Sequence, residues 1–219
     1  KSFNQSNYKL IFDSYDDKEE TSPLINQSYT DGIKTFVISN TAKDAQHGFL
    51  NHQDTENNVL IHSKYTKTDK STWFYKVFNS FKRNGNNEFD VLRSGPIVQA
   101  SLNISCDRMI TELTHAENWL QRLGRLDRFG LNDEINTFTT VIPQRSENGK
   151  QTNSTAKFLN QLCAWQSTVA WMNFLQEQLE DSSTVTLNDL YKIYQDFYQD
   201  KQCKEKVAED IQAALSKSV

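Results

Sequence analysis

The spacing of apolar residues changes along the chain, and the changes outline strands that alternate with helices. From Ile33 to Ser39, the residues Phe36, Val37 and Ile38 form a short continuous apolar run, the pattern of a strand covered on both faces. Thr41 and Asp44 then stand at the spacing of a helix capping box. The same order returns at Asn58 to His62, after which Thr66 and Asp69 open a helix carrying Trp73, Phe74, Val77 and Phe81 at helical intervals. Arg83 to Asn87 ends that helix. A third strand is predicted over Glu88 to Leu92, leading into Gly95-Pro96, and a fourth over Arg108 to Leu113, ahead of a capping box at Thr114 to Glu117. Tyr8 to Phe12 is a further strand candidate, and the acidic Asp16, Asp17, Glu19 and Glu20 after it read as a solvated loop. Alternation of this kind predicts an α/β fold, a parallel sheet with helices on both faces.

Beyond Val141-Ile142-Pro143 the character changes. Ser146 to Thr155 is polar and unpatterned, an exposed loop or boundary that divides the chain into 1–145 and a helical extension, 146–219. Phe158, Leu162, Trp165, Val169, Met172, Leu175 and Leu179 step by three or four residues along one side of a long helix, and shorter helices are predicted at Thr186 to Tyr198 and Cys203 to Leu215. Trp165, Trp171, Tyr191, Tyr194 and Tyr198 resemble a base-stacking set, but aromatics at helical spacing are assigned to packing.

Composition narrows the setting. A chain of 219 residues buries roughly 70% of its unfolded surface, enough for one α/β domain and an appended helical piece. It opens on Lys1 with no leader, and no run approaches the ~20 apolar residues of a membrane span, so a piece of a larger soluble protein is expected. Cys106, Cys163 and Cys203 lie far apart and form no metal or disulfide pattern, which fits a reducing cytoplasm. The net charge of −4 excludes a generally basic coat, so any nucleic-acid contact is expected as a local track of loops and helix starts.

The densest chemistry lies in Gln121-Arg122-Leu123-Gly124-Arg125-Leu126-Asp127-Arg128. Arginines three apart on a helical turn project from neighbouring positions, and Gly124 permits close backbone approach. Permanently charged guanidinium forks match phosphate oxygens, so the cluster suits a triphosphate; its plainer reading is a basic, solvated helix end. Its place one helix after a buried strand sets it near a sheet edge, where a second domain can present a nucleotide.

This octet resembles motif VI of superfamily 2 helicases, and Phe89 to Asp107 resembles the motif V region before it. More narrowly, Ile104 to Leu113 continuing through the octet is similar to the CRISPR type I nuclease-helicase family, as are Asn40 to Gln46 and Ile61 to Thr66, collinear across about Ile33 to Arg128. The resemblance implies the second, C-terminal RecA-like domain of an ATP-driven helicase that moves on single-stranded DNA in CRISPR defence. It implies Arg125 and Arg128 as fingers on the γ-phosphate, Gln121 orienting the attacking water, Arg122 supporting the interdomain arrangement at the nucleotide, and Asn103 bonding a ribose or neighbouring motif. Asn40, Thr41, His62, Ser63 and Thr66 would grip the phosphates of the strand, although His62 is equally readable as a structural histidine.

The chain departs from the family where motif V has a Thr-Gln pair, Glu and Leu-Asp: here stand Gly95-Pro96, Gln99 and Leu102-Asn103. It holds no G-x-x-x-x-G-K-[ST] loop and no acidic metal box after a strand, and His47, His52, His62 and His115 are too scattered for a nuclease centre. The resemblance therefore implies that ATP and Mg2+ are held mainly by a first RecA-like domain outside this sequence. Further partners would be a nuclease domain of the parent chain and a CRISPR surveillance complex. A domain of another superfamily 2 helicase, or a degenerate interaction module, are the alternatives.

Overall fold

Phe36, Val37 and Ile38 are each at most 2% exposed, which requires packing on both sides of their strand. In the computed structural model, which describes residues 7–16, 18–97, 102–133, 135–144, 153–179 and 184–217, that strand is the third of seven in one sheet. The strands are β1 (Asn7–Tyr15), β2 (Thr35–Ile38), β3 (Asn58–Ile61), β4 (Val91–Ser94), β5 (Arg108–Glu112), β6 (Asn136–Pro143) and β7 (Thr184–Thr186). Their spatial order is β3-β4-β2-β5-β6-β1-β7, and all pairs are parallel except β1 with β7. The described helices are α1 (Pro23–Asn26), α2 (Ala42–His52), α3 (Lys67–Phe81), α4 (Ala116–Leu123), α5 (Ser154–Gln161), α6 (Trp165–Gln178), α7 (Leu187–Phe197) and α8 (Lys201–Lys217). The α/β class, the parallel sheet and the helical extension are as the sequence predicts.

Strand alternation sorts the side chains into two layers. Phe36, Ile38, Val59, Ile61, Leu92 and Met109 face one way, toward α3, α4 and the extension. Val37, Val91, Ile110 and Val141 face the other, with Ile25 of α1 and Tyr29. On this second side Arg93 of β4 is 1% exposed, and its guanidinium grips both carboxylate oxygens of Glu56 at 2.8 and 2.9 Å and the carbonyls of Ile25 and Gln27 at 2.8 and 2.7 Å. Gly48 of α2 makes room for it: a Cβ there would stand 2.9 Å from Arg93 Nη1 and 3.2 Å from the Ile25 carbonyl oxygen.

The extension shares the first core. Trp171 of α6 is fully buried edge-on to Trp119 of α4, and Phe197 of α7 meets Trp171 at 5.4 Å. At the other side of the fold, Asn153 caps α5 and donates to the Tyr15 hydroxyl (2.8 Å) and the Glu19 carbonyl (3.0 Å).

Several expectations change. The predicted strand at Glu88 to Leu92 begins only at Val91, because the Phe89 N–H is taken by Ser80 Oγ and the Asp90 N–H by the Asn57 carbonyl. His115, not Thr114, is the N-cap of α4, without a side-chain cap, since the Glu117 carboxylate is engaged elsewhere. The single long helix is two, broken where Cys163 takes φ +51°. Asp210 of α8 supplies the missing cap of α6, accepting from the Ser167 N–H at 2.7 Å and Ser167 Oγ at 2.6 Å. The polar stretch before α5 is not exposed at its end: Asn153 and Thr155 are fully buried, while 145–152 lie outside the described residues. Tyr191 is 49% exposed, so packing does not explain it as it does Trp165 and Trp171.

Candidate functional site

The parallel strands β2, β3, β4 and β5 all end at one edge of the sheet, so the segments that follow them share that edge. Helix α4 leaves from there with Trp119 and Leu123 buried against the sheet and the Trp119 indole N–H donating to Thr140 Oγ1 at 2.9 Å. Arg122 lies on the same inward side. It is 1% exposed and donates to Thr111 Oγ1 (2.6 Å), the Glu112 carbonyl (3.0 Å) and Asn40 Oδ1 (2.9 Å). Burial lowers its pKa to about 10, against the opposing pull of Glu112, so it is cationic at neutral pH.

The octet is not one helical turn. The helix ends at Leu123, Leu126 bridges to Cys106, and the Cys106 N–H and C=O bond Arg125 C=O (3.0 Å) and Asp127 N–H (2.8 Å). Asp127, at φ +44°, turns the chain back and accepts from the Leu131 N–H at 2.8 Å. The end of the helix at Leu123 separates Arg122 from the other two arginines. Arg128 donates through Nε to Asn103 Oδ1 (2.5 Å) and through Nη1 to the Gly124 carbonyl (3.0 Å), and its own N–H is held by Ser105 Oγ (3.0 Å). Arg125 is 8% exposed, and its pKa is lowered to about 10 by burial and by the neighbouring charge of Arg128. Arg125, Arg128 and Asn103 thus share one neighbourhood; Gln121 is exposed on the same short helix.

Of the strand-end residues, Asn40 is committed internally. It is 2% exposed, its side-chain amide donates to the Leu113 carbonyl (2.8 Å), and its N–H donates to Glu112 Oε2 (2.6 Å). Both groups are engaged within the domain, where Asn40 joins β2 to β5 and to Arg122. Likewise, Arg122 has no exposed surface from which to reach a nucleotide directly, and its contacts tie the edge together. Thr41 caps α2 through Asp44 (3.1 Å) and Thr66 caps α3 through Asp69 (3.2 Å), so both hydroxyls sit at helix N-termini. His62 stacks on Tyr65 at 4.1 Å and accepts from the Lys64 N–H at 3.1 Å; burial, then Lys64, lowers its pKa, so the neutral ring carries its proton on Nε2. Ser63 is exposed beside it. Gln99 lies outside the described residues.

Sequence reading missed Glu112. It is fully buried, and its pKa is raised to about 7, first by burial and then by Asp44, against the Asn40 N–H and Arg122. The signal was available: a carboxylate inside the apolar strand Met109 to Leu113 needs a partner.

Residues 31–130 match the family model for the C-terminal part of the CRISPR-associated nuclease/helicase Cas3. A Cas3-type nuclease/helicase of Methanocaldococcus jannaschii is 27% identical over 125 residues, 55% of this chain and 17% of its own length. Among solved structures, T. fusca Cas3 superposes with TM-score 0.74 at 18% identity, over 99% of this chain and 27% of that one. Its ADP complex gives 0.75 at 17% identity, over 97% and 26%. A CRISPR RNA-guided surveillance complex in a pre-nicking state contains a chain that gives 0.63 at 16% identity, over 99% and 29%. The chain therefore spans a small part of these relatives, and at such identities the superpositions establish the fold. Residues 31–130, which hold both the strand-end motifs and the arginine octet, are thus similar to the C-terminal part of the Cas3 nuclease/helicase, and the chain shares the fold of that part.

Proposed function

We propose that this chain is the second motor lobe of an ATP-dependent single-stranded DNA translocase or helicase acting in CRISPR type I interference, with residues 1–145 as the lobe and 146–219 as its helical extension. ATP is the substrate, and Mg2+ and the phosphate cradle belong to a companion first lobe, since this chain has no phosphate loop. The observation that carries the reading is the pairing of Arg125 with Arg128 on a turn pinned to Cys106 and Asn103. Two adjacent cations raise each other's free energy, and a γ-phosphate placed between them relieves that repulsion while its charge develops in the transition state. Gln121 orients the water, and Arg122 acts from within, holding the end of β5 and Asn40 in place under the turn. Where the resemblance implies a charged aspartate, Asn103 offers an amide oxygen that accepts from Arg128.

Thr41, His62, Ser63 and Thr66 contact the strand; a nuclease domain of the parent and a CRISPR surveillance complex are its partners, in the cytoplasm. Among the described residues no helix is long and apolar enough to cross a membrane. Arg125→Ala in the full parent enzyme is expected to slow ATP hydrolysis by about 10³-fold, on the order of 4 kcal/mol of barrier. Hydrolysis within a few-fold of wild type removes the finger assignment.

A further inference from the structure

The charge of the chain is unevenly placed. Residues 64–83 hold six of its 24 cationic residues and one of its 28 acidic ones, a net charge of +5, which leaves −9 on the remainder. Nearly all of that stretch is helix α3 and its flanks. Its single acid, Asp69, is turned to the helix start, where its N–H and carboxylate both bond Thr66 Oγ1. Among the described residues none of the six cations is held in an ion pair. Like charges three and four apart on a helix destabilise it, so the cluster is a cost within the chain and a gain only for an anionic partner.

The lysines are also ordered on rings. Lys70 Nζ lies 5.5 Å from the ring centre of Phe74, Lys76 Nζ 4.7 Å from Trp73 and Lys82 Nζ 5.4 Å from Phe78. These contacts hold flexible ammonium groups at the surface and reduce the entropy lost when they bind. Tyr75 stands between them with 70% of its surface exposed, a large ring with no partner layer over most of it. From Lys67 to Lys82 the helix advances about 22 Å, the reach of several nucleotides. Its N-terminus, with the orphan N–H groups and positive dipole end, begins at Thr66, next to His62 and Ser63.

We propose that α3 is a second track for single-stranded nucleic acid, continuing the strand-end contacts along the outer helix, with Lys67, Lys76 and Lys82 on phosphates and Tyr75 stacked on a base. Spaced cations interleaved with an exposed ring favour a nucleic-acid strand over an acidic polypeptide, which has charges but no bases to stack. The proposal rests on the motor reading for its biological use and on α3 alone for its geometry.

The test is binding of a fluorescent oligothymidylate to the 219-residue chain across a salt series, with Lys67→Gln/Lys76→Gln/Lys82→Gln combined and Tyr75→Ala separately. Lys67 and Tyr75 are exposed and Lys76 and Lys82 half-buried, and unchanged thermal unfolding verifies that the variants are folded. The triple variant is expected to lower the slope of log affinity against log salt by about 2, at ~0.7 per lost phosphate contact on a single strand. Tyr75→Ala is expected to weaken binding about 5- to 150-fold. Wild-type slope in the triple variant, no binding by the wild-type chain, or equal competition by poly-glutamate overturns the proposal. The motor reading is judged apart from this, by Arg125→Ala and ATP hydrolysis in the parent enzyme.

Discussion

Glu112 shows what a single side chain can report. Below the ordinary carboxylate pKa of 4.5 the folded and unfolded chains both carry its proton; between there and about 7 only the folded chain does. Folding takes up a proton in that window, so this residue's contribution to stability is full below 4.5 and is lost as pH rises through about 7, at most ~1.4 kcal/mol per pH unit. Glu112→Gln keeps an acceptor for the Asn40 N–H and removes the titration, so its unfolding midpoint in denaturant is expected to stay flat from pH 5 to 7 where that of wild type falls, by about the amount this slope allows. Parallel curves for the two proteins refute the assignment. The arginine octet was legible because spacing and residue type are local properties. The inward turn of Arg122 was legible in principle, since Ala116, Trp119 and Leu123 mark the buried side of α4. The internal use of Asn40 was not, because its partners Leu113, Glu112 and Arg122 lie more than seventy positions away in the chain.

At the scale of elements, the arginine helix is held from the extension. Glu117 in the first turn of α4 accepts from the Tyr198 and Tyr194 hydroxyls of α7 at 2.5 and 3.0 Å and pairs with His115 Nδ1 at 2.9 Å. The His115 contact contributes most to holding its pKa down at about 2, with the tyrosines adding to it; both tyrosine pKa values are raised, chiefly by burial and then by Glu117. A depressed acid stabilises above its unfolded pKa, and that contribution is lost as pH falls from 4.5 toward 2. Because Glu117 is 44% exposed, water weakens these bonds, and Tyr194→Phe/Tyr198→Phe is expected to cost about 1–2 kcal/mol at neutral pH and less at pH 3. Denaturant unfolding at the two pH values measures both. The N-caps at Thr41 and Thr66 were readable because a cap involves four consecutive residues. The break at Cys163 was hidden, since the apolar stripe runs through it unchanged and the cap of α6 comes from Asp210, far along the chain.

Strand order and the docking of the extension are properties of the whole molecule, and the apolar pattern carries only part of them. Thr184–Thr186 is three residues with one apolar side chain, too short to signal a strand, yet it closes the sheet against β1 and brings α7 under the core. Trp171 joins the two parts of the chain: it is fully buried, edge-on to Trp119 at 5.9 Å and to Phe197 at 5.4 Å. A ring shared in this way makes the sheet and the extension one cooperative unit, since opening either exposes the other's apolar surface. Amides of α6 and α7 are therefore expected to exchange with solvent at the same limiting free energy as those of β5 and β6, and Trp171→Ala is expected to lower all of them together by about 3–5 kcal/mol. Hydrogen exchange followed segment by segment decides the matter. An extension that opens well before the sheet, or a Trp171→Ala loss confined to α6 and α7, would mean that the helices move independently of the arginine turn and that α4 takes its position from the sheet alone.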